Sequence, residues 1–324
     1  MNSTTEHVDI SVIILSWNTK ILLLQCLGSI INSKSKRSIE VIVVDNGSTD
    51  ESVHAVREKY PEVIVIRNDA NLGFAKGNNI GITRSRGRYI CFINSDVEVL
   101  DSCFDLLYDY MEQNRSVGIV GPKILWPDFT LQDSCREFPS LWNNFCAAIK
   151  LNKLFPKSDF FSGEHMMFFA HDRICRVDSL VGAFLLVRKK AIDQVGGFDE
   201  RFFIYAEEID LCRRFWMAGW EVVFYPGAEI VHFGRGSSSR EPIRFMLEQQ
   251  KSVLQYWEKY HKIPGQVAIL IIMALNHLLR IGAGILLLLI RSSKKNNSLY
   301  NIKKHFVCLL SLFLPQKVCQ STTQ

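Results

Sequence analysis

Short apolar runs alternate with helical patterns through the first 120 residues of the chain. The runs are rich in Val, Ile and aromatic residues and have the length of strands. Strands that are joined through helices lie parallel, because a parallel connection needs a long crossover. Since the runs are apolar throughout, they are typical of strands buried on both faces. The sequence therefore predicts an α/β fold, a mostly parallel sheet with helices on both faces, with strands at 10–15, 39–44, 63–66, 89–93 and 117–120.

One of these runs ends abruptly in polar residues. The run at 89–93 is followed by Asn94, Ser95 and Asp96, so an amide and a carboxylate lie two positions apart. In an extended chain this spacing points both side chains the same way, and ligands of open α/β sheets bind beyond the carboxyl ends of strands. A carboxylate there suits a hydrated divalent cation that holds a diphosphate. The alternative is a helix N-cap, in which Ser95 or Asp96 caps a helix that starts near Asp101.

The second half of the chain is less regular. Residues 126–174 are rich in aromatic residues, Asn, Ser and Pro without periodicity, which predicts a long excursion over the surface. Beyond them, strands are expected at 177–187 and 222–225, and helices at 189–195, 211–218 and 243–260. The predicted domains are an α/β domain at 1–240, a linking helix at 241–262 and apolar, basic helices at 263–324.

The tail of the chain is both apolar and basic. The last acidic residue is Glu258, and residues 259–324 contain nine Lys and Arg residues and no Asp or Glu. Such a tail predicts an anionic membrane surface as partner and argues against nucleic acid. The 24 residues 267–290 approach the length of a membrane span. Because they include an amide, an imidazole and Arg280, an interfacial helix or a packed hairpin is favoured over a lone span. A buried helical hairpin is the alternative.

Polar and acidic residues recur after the predicted strands. Each has an ordinary explanation by itself, such as a turn, a helix start or a core histidine. Because the carboxyl ends of parallel strands share one edge of a sheet, all of them together indicate a ligand site there. No G-x-G-x-x-G motif or P-loop follows the first strand, which argues against a dinucleotide-dependent dehydrogenase and a nucleoside triphosphatase. The clusters lie at 45–50, 71–74, 94–96, 207–210 and His232.

The segments V-V-D-N-G-S-T-D, N-L-G-F-A-K-G-N, N-S-D, G-G-F-D-E and E-E-I-D-L follow one another in this order along the chain. Together they resemble family 2 glycosyltransferases of the GT-A fold, and within that family the rhamnosyltransferase-like members that build bacterial surface polysaccharides. The resemblance extends over residues 10–238. It implies that the α/β domain is catalytic and binds a nucleotide-diphosphate sugar.

The resemblance also implies roles for individual residues. Asp96 and His232 are expected to hold a divalent cation, Mg²⁺ or Mn²⁺. Asn94 stands where the strict family signature has a carboxylate, so the cation site has one negative charge fewer. The positions expected to bind the nucleotide sugar are Asn18, Asp45, Asn46, Ser48, Asn71, Phe74, Gly77, Asn78 and Asn94.

On the acceptor side, the resemblance implies that Glu208 is the catalytic base. Glu208 stands where Asp is common in the family, and a Glu is as competent a base as an Asp. Glu207 and Asp210 would orient the acceptor or the helix, and Asp199 belongs to the segment near the acceptor.

The function that the resemblance implies is an inverting transfer of a sugar to a hydroxyl of a lipid-linked or polysaccharide acceptor in cell-surface polysaccharide synthesis. It favours dTDP-L-rhamnose as donor, with galactofuranose, glucose or N-acetylglucosamine donors as alternatives. A catalytically silent sugar-nucleotide-binding or scaffold protein is the alternative from another class. The nine cysteines form no C-x-x-C pair, which fits a reducing cytoplasm and argues against a structural zinc site. With the basic tail, this predicts the cytoplasmic face of the plasma membrane; the oligomeric state stays open.

Overall fold

The computed structural model describes residues 7–234, 241–290 and 295–314. The ends of the predicted α/β domain at 1–6 and 235–240, and the tail positions 291–294 and 315–324, lie outside the described residues. The strands are β1 (Ile10–Ser16), β2 (Ile39–Asp45), β3 (Ile64–Arg67), β4 (Tyr89–Asn94), β5 (Val97–Val99), β6 (Val117–Leu125), β7 (Leu131–Gln132), β8 (Cys135–Arg136), β9 (Cys175–Arg176), β10 (Ser179–Leu180), β11 (Phe184–Arg188) and β12 (Glu221–His232). The helices are α1 (Lys20–Ile31), α2 (Ser52–Lys59), α3 (Phe74–Arg84), α4 (Cys103–Gln113), α5 (Leu141–Ala148), α6 (Leu151–Leu154), α7 (Asp159–Ser162), α8 (Lys189–Val195), α9 (Glu207–Met217), α10 (Pro242–Tyr260), α11 (Ile263–Ile290) and α12 (Lys295–Ser311).

The main sheet has the strand order β3-β2-β1-β4-β11-β6-β12-β5. Strands β3, β2, β1 and β4 are parallel, as are β6 and β12. The α/β class predicted from the sequence is confirmed. The sheet is mixed, because β11 runs antiparallel between β4 and β6, and β5 runs antiparallel to β12.

The segment predicted as one strand at 177–187 forms two. β10 pairs with β8 in a separate two-stranded sheet, whereas β11 enters the main sheet. A turn at Gly182 separates them. The apolar pattern runs through this turn because Val181 and Ala183 are partly or fully buried on either side of it, so hydropathy alone does not reveal the break.

Helices cover both faces of the parallel strands, as expected from strands that are apolar throughout. Successive residues of β1 point to opposite faces. Val12 and Ile14 belong to the core cluster that includes Leu23 of α1. On the other face Ile13 lies so close to Gly81 of α3 that a Cβ built there would be 2.5 Å from the Ile13 Cγ2 atom. The two interfaces hold the loops after β1 and β2 at one edge of the sheet.

The chain forms two compact units. The described residues of the first are 7–138 and 169–234, and those of the second are 139–168, 241–290 and 295–314. The segment 139–168 thus groups with the C-terminal helices, although 72 residues separate it in sequence from position 241. The predicted domain bounds at 240 and 262 divide the chain in sequence order and stay a prediction.

The second unit is helical. Helix α11 packs against α5, α10 and α12. It is long and apolar enough to cross a membrane, with a mean hydropathy of 1.9 and 17% of its most apolar window buried. Its buried His277 donates through Nε2 to Gln250 of α10 at 2.9 Å, and its Nδ1 lies 3.0 Å from that of His305 on α12. The imidazole in this apolar helix is therefore used for contacts between helices.

Candidate active site

The strand ends singled out in the sequence meet at one edge of the sheet. Asp45, the last residue of β2, lies in register with the last residue of β1. Asn94, the last residue of β4, lies in register with the penultimate residue of β1. His232 ends β12, and its register partner on β5 is the residue that follows Asp96. The structure therefore brings four of the predicted site residues to a common edge.

Asn18, Asp45 and Ser48 form a small hydrogen-bonded group. The backbone N–H of Asn18 donates to the Ser48 hydroxyl at 2.9 Å, and the backbone N–H of Ser48 donates to Asp45 Oδ2 at 3.0 Å. Asn18 has a left-handed φ of 55°, a conformation that Asn tolerates better than most residues. The buried Asp45 Oδ1 has no partner among the described residues. A buried carboxylate oxygen of this kind fits a donor group supplied by a ligand.

Asn46 and Asn71 hold a loop. The Asn46 side chain donates to Asn71 Oδ1 at 3.2 Å and to the Gly73 carbonyl at 3.0 Å, and Asn71 Oδ1 also accepts from the Gly73 amide at 3.0 Å. Gly73 has φ of 86°, and a Cβ built there would lie 2.5 Å from the carbonyl oxygen of Phe203. Only glycine permits this approach. Both amide side chains thus fix the backbone that lines the predicted nucleotide pocket.

Phe74, Gly77 and Asn78 lie at the start of α3. A Cβ on Gly77 would be 2.3 Å from Leu15 Cδ1, so glycine lets the helix pack on β1. The buried Asn78 side chain donates to the Phe74 carbonyl at 3.0 Å. The half-buried Phe74 ring packs edge-on against Phe198 at 5.8 Å. These contacts hold the start of α3 against β1 and the Phe198 ring, and the expected role of the three residues in nucleotide-sugar binding stays a prediction.

Asp96 and His232 lie side by side. His232 Nε2 is 3.3 Å from Asp96 Oδ1, and both side chains are largely buried. His232 Nδ1 lies 3.1 Å from Gln132 Oε1 of β7, so one ring nitrogen contacts Gln132 and the other faces the Asp96 carboxylate. Asp96 leads directly into strand β5, and the residue before α4 is Ser102. The helix-cap alternative for Ser95 and Asp96 is therefore wrong.

The pair fits a divalent cation. Two ligands of an octahedral ion at about 2.1 Å each lie roughly 3 Å apart, close to the observed separation of the Asp96 and His232 atoms. The hydrogen bond from the other ring nitrogen is the usual support for a metal-binding histidine. In the described part of the chain no group of three or more His, Cys, Asp or Glu residues could hold a metal. Two protein ligands are typical of Mg²⁺ sites that also use water and phosphate oxygens.

Glu207 and Glu208 begin α9. The two preceding residues, Tyr205 and Ala206, both have left-handed φ values, 70° and 66°. Non-glycine residues rarely adopt this left-handed conformation, and those that do cluster at functional sites. The Oε2 atoms of Glu207 and Glu208 are buried and have no hydrogen-bond partner among the described residues. Gly182 faces Glu208, since a Cβ built there would lie 3.5 Å from Glu208 Cβ.

Burial also shifts the ionisation of both carboxyl groups. It raises the pKa of Glu207 well above its usual value, and the neighbouring charge of Glu208 adds to this. It raises the pKa of Glu208 as well, against the opposing effects of backbone amides and of the Arg136 guanidinium. Desolvation disfavours the charged form. A carboxylate in this state accepts a proton more readily than an exposed one.

The other acidic residues predicted on the acceptor side have partners. The fully buried Asp210 pairs with Arg214 at 2.8 Å. Arg214 also donates to the carbonyl oxygens of Gly196 and Gly197 at 3.3 and 2.7 Å, so it holds the preceding loop to α9. Asp199 binds Arg201 at 2.8 Å near the surface. These contacts give Asp210 a clear structural use.

Comparison with known proteins identifies the family. Residues 11–173 match the family described as Glycosyl transferase family 2. The chain belongs to glycosyl transferase family 2. This confirms the resemblance found in the sequence motifs and establishes the protein as a glycosyltransferase.

Two relatives of this glycosyltransferase carry rhamnosyltransferase names. It is 31% identical to an N-acetylglucosaminyl-diphospho-decaprenol L-rhamnosyltransferase of Mycobacterium tuberculosis over 242 residues, 70% of this chain and 77% of the relative. It is 30% identical to the rhamnosyltransferase WbbL of Escherichia coli K12 over 174 residues, 50% of this chain and 61% of that one.

A solved structure supports the fold of the glycosyltransferase. The crystal structure of GalNAc-T7 with UDP, GalNAc and Mn²⁺ superposes with a TM-score of 0.53 at 14% identity, over 76% of this chain and 48% of that chain. This chain thus spans about half the length of GalNAc-T7. The likeness confirms the GT-A-like fold.

Sequence reasoning missed several residues that contact or act on the candidate site residues. Gln132 supports His232, Gly182 faces Glu208, and Arg136 acts on the charge of Glu208. Gln132 and Arg136 lie within 126–174, where the pattern is irregular, and Gly182 lies inside the apolar run 177–187. The local signal for Gly182 is a glycine inside an apolar run, which often marks a break in a strand.

Proposed function

We propose that this glycosyltransferase moves L-rhamnose from dTDP-L-rhamnose, with inversion, to a hydroxyl of a lipid-linked acceptor in the synthesis of a cell-surface polysaccharide. The observation that carries the proposal is the buried, unpartnered Oε2 of Glu208, in the same unit as the Asp96–His232 pair. The rhamnosyltransferase names of two relatives support the donor sugar. The name of the mycobacterial relative supports an acceptor on a polyprenyl diphosphate.

In the proposed mechanism Glu208 is the general base. The acceptor oxygen attacks the anomeric carbon from the face opposite the diphosphate, and the bond from that carbon to the diphosphate oxygen breaks. The acceptor proton passes to Glu208, and the nucleoside diphosphate leaves with the electron pair. Attack from the opposite face inverts the anomeric configuration. A free buried oxygen suits this role, because a carboxylate oxygen that has no hydrogen-bond partner is available to the substrate hydroxyl.

Asp96 and His232 would hold Mg²⁺ or Mn²⁺, which when bound neutralises charge on the diphosphate. Asp45 would accept a hydrogen bond from the base or ribose through its free Oδ1. Asn18, Ser48, Asn46 and Asn71 position the backbone around the nucleotide. We infer that Asn94, at the end of β4, contacts the donor sugar.

Membrane association fits a lipid-linked acceptor. Helix α11 has the length and mean hydropathy of a membrane-crossing helix, and the chain from 259 onward contains basic residues and no acid. Basic residues beside an apolar helix favour the anionic cytoplasmic leaflet. We propose that the catalytic unit works at the cytoplasmic face of the plasma membrane.

The test is a panel of nucleotide sugars, with release of nucleoside diphosphate as the readout. We expect release from dTDP-L-rhamnose with Mg²⁺ or Mn²⁺, and product formation when a polyprenyl-diphosphate saccharide is added. Replacement of the base in Glu208→Gln lowers kcat by about 10²–10⁴-fold, and NMR of the product reports inversion. Asp96→Asn weakens the dependence on metal and the binding of donor.

Specific outcomes contradict the proposal. Turnover of another donor but not dTDP-L-rhamnose overturns the sugar assignment, and near-normal turnover of Glu208→Gln overturns the base. Nucleotide-sugar binding without any hydrolysis or transfer supports the silent scaffold protein instead.

A further inference from the structure

The segment Pro139–Phe168, hereafter the insert, separates β8 from β9 along the chain and belongs to the helical second unit. It consists of α5, α6 and α7 with a short 3₁₀ turn at Gly163–His165. Helix α5 packs against α11 within that unit. A segment that interrupts the catalytic unit in sequence is thus built onto the apolar C-terminal helix.

The insert carries an ordered aromatic cluster. The rings of Trp142 and Phe160 lie 4.9 Å apart, and those of Phe155 and Phe161 lie 5.1 Å apart. The Trp142 indole donates to the Phe160 carbonyl at 2.7 Å. Ring contacts between Phe160 and Phe161, at 5.0 Å, connect the two pairs. These rings are therefore held in place by one another.

The cluster is nevertheless exposed. Trp142 is 40% exposed, Phe155 45%, Phe160 61% and the adjacent Leu154 69%. Large apolar side chains scattered singly over a surface need no explanation, but contiguous exposed patches mark interaction sites. Helix α11, against which α5 packs, also exposes much of its apolar surface, including Ile271 at 64% and Leu286 at 56%.

The exposed lysines of the insert indicate which kind of surface it binds. Lys150, Lys153 and Lys157 are all exposed and lie in residues 141–158, which contain no Asp or Glu; the two acids of the insert, Asp159 and Glu164, follow them. Aromatic rings beside lysines are the composition of elements that lie in the headgroup region of an anionic bilayer, where rings enter the acyl boundary and ammonium groups reach the phosphates. A protein-binding surface has the opposite bias, because Lys is depleted at protein interfaces.

We propose that the insert is a second membrane-docking element, which seats Trp142, Leu154, Phe155 and Phe160 in the interface of an anionic phospholipid bilayer. The inference rests on the membrane association proposed above and goes beyond it, because it assigns docking to a segment outside the C-terminal tail. It explains why an aromatic segment with three exposed lysines interrupts the chain of a catalytic domain and packs on α11.

The first test measures partition of the full-length protein onto vesicles by flotation. The vesicles contain phosphatidylglycerol and phosphatidylcholine, or phosphatidylcholine alone. In the variant, Lys150, Lys153 and Lys157 are all replaced by Gln; the matched control replaces the exposed Lys34, Lys59 and Lys190 of the first unit by Gln. Each lysine near an anionic surface strengthens binding, so we expect the insert variant to bind anionic vesicles roughly tenfold or more weakly. The control variant binds like the wild type.

The second test locates the insert in the bilayer. Tryptophan fluorescence is measured in vesicles with brominated acyl chains, which quench nearby indoles. Trp142→Phe removes a quenched component, whereas Trp126→Phe, at a tryptophan of similar exposure in the first unit (39%), does not. Neither residue belongs to the proposed catalytic machinery.

The outcomes separate this inference from the proposed function. Weaker vesicle binding with unchanged nucleoside diphosphate release in detergent supports docking by the insert. Equal binding of wild type and insert variant, with no quenching of Trp142, overturns the inference and leaves the proposed function intact. No binding of the wild type to any vesicle overturns the proposed membrane association itself. A shift in oligomeric state of Phe160→Ser without loss of vesicle binding assigns the cluster to a protein interface and overturns docking.

Discussion

Gly182 lies directly against the side chain of Glu208. A Cβ built on Gly182 would be 3.5 Å from Glu208 Cβ and 3.9 Å from Glu208 Cδ, and Gly182 does not have a left-handed φ. The turn between β10 and β11 therefore leaves room for the carboxylate that we propose as the base. The need for a small residue comes from this contact and not from backbone conformation.

The first prediction concerns the size of residue 182. Gly182→Ala places a methyl group in ordinary contact distance, so we expect kcat within about threefold of the wild type. Gly182→Val adds an isopropyl group beside Glu208 and displaces its carboxylate; a shift of about 1 Å costs roughly 100-fold in rate. Steady-state kcat, with donor binding by calorimetry as the control for folding, checks both. Equal loss in the Ala and Val variants would contradict the steric explanation.

The second prediction concerns pH. Burial raises the pKa of Glu208, and a general base must be ionised to act. Activity therefore falls as the pH decreases through that pKa, at a higher pH than for an ordinary Glu. Arg136 opposes the shift through its positive charge. Arg136→Gln removes the charge, so the acid limb of the kcat profile moves to higher pH, whereas Arg136→Lys keeps the charge and moves it less. If the acid limb of the kcat profile stays at the wild-type pH in both variants, the Arg136 charge does not affect the pKa of Glu208.

The third prediction concerns Gln132. Its Oε1 accepts from His232 Nδ1 at 3.1 Å, and such supporting contacts are typically worth 10–100-fold in metal affinity. We expect Gln132→Ala to weaken Mn²⁺ binding by about tenfold, measured by electron paramagnetic resonance with nucleoside diphosphate present. Gln132→Glu restores an acceptor and recovers binding. Unchanged Mn²⁺ affinity in Gln132→Ala would remove Gln132 from the cation site.

The fourth prediction separates two uses of Asp210. Removal of its charge in Asp210→Asn leaves the Arg214 guanidinium largely buried without a counter-charge, which costs about 3–5 kcal/mol in the free energy of unfolding. The matched change Asp199→Asn breaks a pair whose arginine is half exposed and costs less than about 1 kcal/mol. Denaturant unfolding measures both. A raised KM for acceptor in Asp210→Asn without loss of stability would instead place Asp210 at the acceptor.

Several features of the site were readable from local sequence. A β-branched run followed by a polar residue predicts where a strand ends, which placed Asp45, Asn94 and Asp96 at one edge of the sheet. Spacing along the chain did not show what their side chains bind. The side chains of Asn46 and Asn71 are hydrogen-bonded although the residues are 25 positions apart in the chain. No local pattern in the sequence reveals that these side chains hold a loop.

The sequence by itself determined the fold class and the family, because strands, helices and short motifs depend on neighbouring residues. The tertiary structure alone decided the rest. It showed that Asp96 leads into β5 and lies against His232, 136 positions away in the chain, a pair that the motifs had implied only by resemblance. It brought Gly182 against Glu208 through an antiparallel strand in a mostly parallel pattern. It also joined the insert to α11. These features depend on burial and on side-chain contacts between segments that are distant in the chain. The periodicity of a single segment does not predict either of them.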